Sequence, residues 1–440
     1  MLSTAPPVPN GGLHLRGGRL LDPATGTDAV LDVVVSADGR IARIGRDLLT
    51  PAGAQPLDVS DQWVVPAAVD LRAHLAEPDD DDERLAHARW ALLRAGIGTV
   101  CASPATSPPI DTPALARLLP LRARSSGPGP RVLPLGALTH GMAGERLTEA
   151  GRMRRAGVVA LTDAPRPSMP ADLMRRALEH ARGFDVLVMQ HAEEATLSRR
   201  LALHEGPAVL AAGLAGQPSA AESAIVARDL ELVALTGSRY HVAHVSSGAT
   251  LRLLRDARAR NLPVSGDVTP LHLLLDETDA VSADPSLRLR PPLRERADRE
   301  ALREALIDGT LQAIASDHHP STPPLPPDAE PSAYVPGLPV AHLVWPVLLE
   351  LVTEHGLSPL AAVDRWTWGP ARLLGLLELG RLREGGRADL AVIDPDAEWN
   401  DETDALPTPL ARRRWRGRVR WMLVDGRLIA PDEETGTGTP

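Results

Sequence analysis

Val64-Val65-Pro66-Ala67-Ala68-Val69-Asp70-Leu71-Arg72-Ala73-His74-Leu75-Ala76-Glu77-Pro78 is an apolar run that ends in a polar cluster. A short stretch of Val, Ala and Leu closed by such a cluster reads as a strand buried on both faces. The end of a buried parallel strand is where barrel folds carry their chemistry. Here that end holds Arg72 and His74, one residue apart. An imidazole can offer a lone pair to a metal. A guanidinium has donors only and keeps its charge, so Arg72 cannot be a ligand and its cation repels a divalent ion.

Outward from this strand the pattern repeats. Short apolar runs recur at Gly98–Ala102, Val158–Leu161, Val186–Met189, Tyr240–Val245, Val264–Val268 and Ala313–Asp317. Helical candidates lie between them, among them Arg84–Ala95, Pro170–Ala181 and Ala249–Arg260. Strand–helix units over roughly 300 residues predict a parallel (β/α)8 barrel across 66–375. The flanks read differently. Leu13–Arg16, Ala29–Val35, Ile41–Ile44, Ala388–Asp394 and Val419–Arg427 are short strands and tight turns. Residues 1–65 and 376–440 are therefore expected to pair into one small β domain. Residues 323–336, rich in Pro, Asp and Ser, are expected to form a loop over the barrel mouth, and 435–440 a loose tail.

Composition narrows the function classes. A net charge of −10 without a basic block excludes the usual footprint of a nucleic-acid binder. No apolar run is long enough to span a bilayer, and no basic-then-apolar leader opens the chain. The single cysteine, Cys101, rules out an internal disulfide framework and fits a cytoplasmic protein. Every basic side chain is Arg, with no Lys in the chain. Schiff-base lysine chemistry and a carboxylated, metal-bridging lysine are both excluded. The run Arg412-Arg413-Arg414-Trp415-Arg416 reads as a solvated surface, with an interface anchor as the alternative.

The chain resembles the dihydroorotases of the cyclic amidohydrolase family over nearly its whole length. The resemblance is carried by Val65–Pro78, Ala160–Pro167, Gln190–Leu197, His241–Ser247, Val268–His272, Arg290–Arg294, Asp308–Pro320 and Gly380–Asp396. It implies a (β/α)8 barrel with a small β-sandwich domain. In the family the strand of Arg72 ends in His-x-His, so the first ligand is replaced by Arg72 and the second is retained as His74. The resemblance assigns Asp163 to the bridging position, His191 and His244 to the later imidazole ligands, and Asp317 to the carboxylate that binds metal and accepts the proton of the attacking water. It leaves a partial metal site of His74, Asp163, His191, His244 and Asp317, with Asp317 a vestigial base. The expectation is a chain without a cofactor; zinc at the partial site is the alternative.

The same resemblance implies that most of the groups holding substrate in the family are replaced here. Ala76 stands where the family has the Arg that clamps the substrate carboxylate. Ala105 and Arg290 stand where it has Asn, and Ser321 replaces a terminal His. Leu271 replaces the first His of a Thr-Pro-His-His segment, while His272 is kept. Removing one charged or polar group of this kind costs about 1.5–3 kcal/mol of binding. Their joint replacement implies a catalytically inactive homologue. Such homologues act as structural subunits of aspartate carbamoyltransferase in pyrimidine biosynthesis, as homo-oligomers within a hetero-oligomer. The alternative is an active zinc-dependent hydrolase of another cyclic amide, with Arg72 or Arg290 as new anion contacts.

Overall fold

The computed structural model describes residues 9, 11–75, 82–166, 169–281, 284–320, 337–401 and 406–429. Ala76, Ser321, the expected loop at 323–336 and the tail at 435–440 lie outside these residues.

The chain opens with strands β1 (Leu13–Asp22), β2 (Thr27–Val35), β3 (Ile41–Gly45), β4 (Gln55–Asp58) and β5 (Trp63–Pro66). Barrel strands follow: β6 (Ala68–Ala73), β7 (Ile97–Ala102), β8 (Arg131–Pro134), β9 (Ala160–Leu161), β10 (Leu187–His191), β11 (Tyr240–Ala243), β12 (Val264–Val268) and β13 (Ala313–Ile314). The chain returns through β14 (Leu390–Trp399), β15 (Trp415–Val424) and β16 (Arg427–Ile429).

Strands β6 to β13 are parallel and run in two arcs, β6-β7-β8 and β9 to β13. Parallel bridges Gly136↔Leu161 and Ala73↔His318 join the arcs into a closed ring. Each strand is followed by a helix. The eight are Asp82–Arg94, Pro113–Ser125, Ala150–Arg155, Ala171–Arg182, Ala220–Thr236, Gly248–Ala259, Arg296–Ile307 and Val344–His355. Strands β6, β7, β10 and β11 are buried at every residue, because helices cover one face and the barrel interior the other. Helix ends follow from local chemistry. Thr112 and Ser247 accept from backbone N–H groups of the first turns that they cap. Gly237 and Gly356 end their helices in the left-handed conformation.

The barrel interior is apolar below the mouth, with Val69, Leu71, Cys101, Leu135, Leu187, Met189, Ala313 and Ala315 in one cluster. Both ends of the chain meet in one eight-stranded sheet of order β16-β15-β14-β5-β1-β2-β3, with β4 also on β1. Its core is Leu13, Leu15, Leu20, Val33, Val35, Val64, Leu390, Val392 and Leu423. Arg131, at the start of β8, reaches Asp389 and Asp425 and ties barrel to sheet. In the run from Arg412, Arg412, Arg414 and Arg416 are exposed, as expected of a solvated surface. Trp415 is buried, Arg413 stacks over its ring at 4.7 Å, and Arg413, Arg414 and Arg416 pair with Glu350, Glu398 and Asp396. Among the described residues no helix is long and apolar enough to cross a membrane.

Candidate active site

Strand β6 carries a register irregularity between Asp70 and Ala73. Three residues on β6 span the step that two residues span on β7, and such an extra residue re-aims side chains. Leu71 therefore joins the apolar interior while Arg72 and His74 both reach the barrel mouth. The buried carboxyl of Asp70 braces this bend, accepting from the Arg72 and Ser316 N–H groups at 3.3 and 3.0 Å and from the Ser316 hydroxyl. Burial, ahead of these bonds, pushes Asp70 up to about 7.

Arg72 is the hub of the mouth. Its Nη1 lies 2.7 Å from His244 Nε2, its Nη2 3.3 Å from His74 Nε2, and its Nε 3.3 Å from Asp317 Oδ1. The first two are hydrogen bonds. The third is an ion pair by distance without hydrogen-bond alignment, which leaves Arg72 Nε and Asp317 Oδ1 buried without a bonded partner. A guanidinium only donates. Both Nε2 atoms must therefore be acceptors, which puts the imidazole protons on Nδ1. Burial first, and Arg72 with it, holds His244 down to about 4, and the same burial with His319 and Arg72 lowers His74. Both rings are neutral at pH 7. For Asp317 burial works upward, but Arg72, His244, His319 and His74 outweigh it and hold the carboxyl well below the usual range. His244 and Asp317 have φ of +50° and +45°, left-handed for non-glycine residues. Such strain, about 1–3 kcal/mol each, is commonly stored at functional sites.

The other expected residues divide. His191 lies beside His244, ring centroids 5.8 Å apart, but its Nε2 donates to Glu193 at 3.1 Å. Glu193 also accepts from Arg290 through two nitrogens and from Ser198. Burial would raise Glu193; His191 and Arg290 prevail and hold it at about 2. Asp163 does not join the cluster. Its Oδ1 accepts from the Leu138 and Thr139 N–H groups and its Oδ2 from the Thr139 hydroxyl, so the carboxylate caps a loop. Among the described residues no bond or ion pair joins it to His74, His191, His244 or Asp317. Asp163 is not in the group of close ligand atoms formed by His74, Asp317 and His319. The guanidiniums of Arg72 and Arg290 are both engaged within the chain.

Two residues escaped the sequence reading. His319 stacks on His74, with centroids 3.8 Å apart. Glu193 forms the buried pair with Arg290, each side chain 3% exposed. The signal for Glu193 was a carboxylate two residues beyond a strand-end His, opposite an unexpected Arg. His272 is held on both sides, by the Thr269 hydroxyl and the Pro291 carbonyl. The N–H of Ala105 turns back to the Ser103 hydroxyl.

His74, Asp317 and His319 each offer a ligand atom, all within 4.8 Å of one another. The set does not fit a divalent pair. Lone pairs of two imidazoles and one carboxylate already converge on a fixed cation, the bridging carboxylate is used elsewhere, and Glu193 is neutralised by Arg290. The cavity among Thr269, Leu271, His272, Arg290, Asp317 and Leu338 has a volume of about 20 Å3.

Comparison with known proteins agrees with the architecture. Residues 63–427 match the amidohydrolase family. A dihydroorotase of Anaeromyxobacter dehalogenans (strain 2CP-1 / ATCC BAA-258) is 41% identical over 430 residues, covering 96% of this chain and 98% of the relative. A dihydroorotase of Pelotomaculum thermopropionicum is 39% identical, covering 96% and 99%. The dihydropyrimidinase structure from Brevibacillus agri NCHU1002 superposes with a TM-score of 0.80 at 21% identity over 95% of both chains. The L-hydantoinase structure from Arthrobacter aurescens gives 0.80 at 22% over 97% of both. The fold is thus the amidohydrolase barrel with its accompanying β-sheet, and the chain belongs to the amidohydrolase family, in its dihydroorotase-like branch of cyclic amidohydrolases.

Proposed function

We propose that this chain is a non-catalytic dihydroorotase homologue, serving as a structural subunit of an aspartate carbamoyltransferase assembly in pyrimidine biosynthesis. The observation that carries the catalytic half is the Arg72 guanidinium seated between His74, His244 and Asp317. A general base needs a pKa near the working pH. Asp317, held far below that by Arg72 and three imidazoles, accepts protons poorly. The replacements at Ala105 and Arg290 point the same way. The partner half rests on family resemblance.

A second reading has two observations in its favour, the first being the likeness to relatives named dihydroorotase at 41% and 39% identity. His74, Asp317 and His319 lie close enough to share an ion, which suits a zinc-dependent hydrolase of another cyclic amide. Co-expression with aspartate carbamoyltransferase of the same organism, followed by light scattering, tests the proposal. A stable complex of higher mass is expected. Separate elution of the two proteins, with zinc in the purified chain and turnover of a cyclic amide, overturns it in favour of the hydrolase.

A further inference from the structure

We propose that the groove between helix Val344–His355 and the outer face of the sheet is a two-fold interface for a second copy of this chain, with Arg412 of each copy facing Glu354 of the other. The groove has a volume of about 870 Å3. Trp63, Arg19 and Val30 lie side by side across β5, β1 and β2 and form one wall; Leu349 and Val352 of the helix form the other. Val30 is 61% exposed, an apolar side chain open to whatever enters. The charges say what kind of partner fits. The lining arginines are already answered within the chain: Arg19 by Asp28, Arg413 by Glu350, Arg414 by Glu398 and Arg416 by Asp396. An anionic ligand would have to displace those carboxylates. The carboxylates left over are Asp61 and Glu354, both exposed and, among the described residues, without a hydrogen bond or ion pair. Glu354 is also badly placed for the isolated chain. It follows Glu350 by one helical turn, and it sits in the last turn, where the helix dipole disfavours a negative charge. A cation arriving from outside relieves both. Arg412, next to the groove-lining Arg413, is exposed and, among the described residues, equally without a partner. A two-fold contact sets one patch against its own copy, so the patch must carry both the unanswered acid and the unanswered base. This one does, beside apolar walls that the contact would cover.

The inference concerns the pairing of this chain with itself and does not depend on the carbamoyltransferase. Sedimentation velocity of the purified full-length chain, over a series of protein and salt concentrations, tests it. The wild type is expected to be a dimer that loosens as salt rises. Glu354→Arg and Arg412→Glu, each at an exposed site, are expected to remain folded by circular dichroism. Each is expected to raise the dimer dissociation constant about tenfold or more, since a reversal acts twice across the two-fold axis. Glu354→Arg combined with Arg412→Glu restores opposite charges and is expected to return most of the affinity. A monomeric wild type overturns the proposal. So does a dimer that neither reversal weakens, or a double variant no tighter than the single ones. If the same reversals weaken only a complex with the carbamoyltransferase, the groove belongs to that partner and not to a second copy, which also overturns it. A dimer that obeys the charge swap while no carbamoyltransferase complex forms would leave this proposal standing and remove the scaffold role, so the two fail separately.

Discussion

The floor of the barrel and its mouth are built from the same strands and obey different physics. On β6, Leu71 packs with Val69, Leu135, Met189 and Ala313, while Arg72, one residue on, sits among two imidazoles and a carboxylate. The floor is held by volume: each side chain fills space that nothing else fills. The mouth is held by pairing: Arg72 with Asp317, Arg290 with Glu193, Asp163 with Thr139. A floor of this kind suits any barrel of the family. A mouth in which each charge is answered by another residue has little left for a ligand.

Breaking a pair at the mouth is expected to cost most. Arg290→Met leaves the buried Glu193 with His191 and Ser198 but without its guanidinium, at about 3–5 kcal/mol in urea unfolding. The double variant with Glu193→Gln is expected to recover most of that; additive losses would show that the pair is not the source. On the floor, Leu71→Ala is expected to cost about 3 kcal/mol through the cavity it leaves, with the pH dependence of stability unchanged.

Acid separates the two regions further. Burial above all holds His244 and His319 to about 4 and His318 to about 3. Unfolded, these rings titrate near about 6.5. Between those values the unfolded chain binds more protons, so stability rises with pH there. The contribution is complete above about 6.5 and is lost as the pH falls towards about 4. Thermal unfolding from pH 7 to pH 4 is expected to show this decline, and a flat profile would contradict buried neutral imidazoles. The smallest effect is expected at Thr139→Val, about 1 kcal/mol, because Asp163 keeps its two backbone donors.

The barrel was legible in the sequence because doubly buried strands leave continuous apolar runs, and the strand-end motifs sit in order along the chain. That Arg72 is no ligand followed from its chemistry alone. Its role as a hub did not, since His244 is 172 residues away and only ring closure brings it to 2.7 Å. The surroundings of Asp163 were hidden for a similar reason. A carboxylate at the end of an apolar run looks alike whether it faces a metal or caps a loop, and its partners Leu138 and Thr139 lie on another segment. His319 went unremarked because adjacent His318 and His319 do not reveal which one stacks on His74; the structure gives that place to His319 and buries His318.

A mouth organised around Arg72 is proposed to perform no hydrolysis. The most direct measurement is dihydroorotate hydrolysis by the purified wild-type chain, with and without added zinc. No rate above the blank is expected in either condition. Turnover that rises in proportion to protein, with or without zinc, would contradict it.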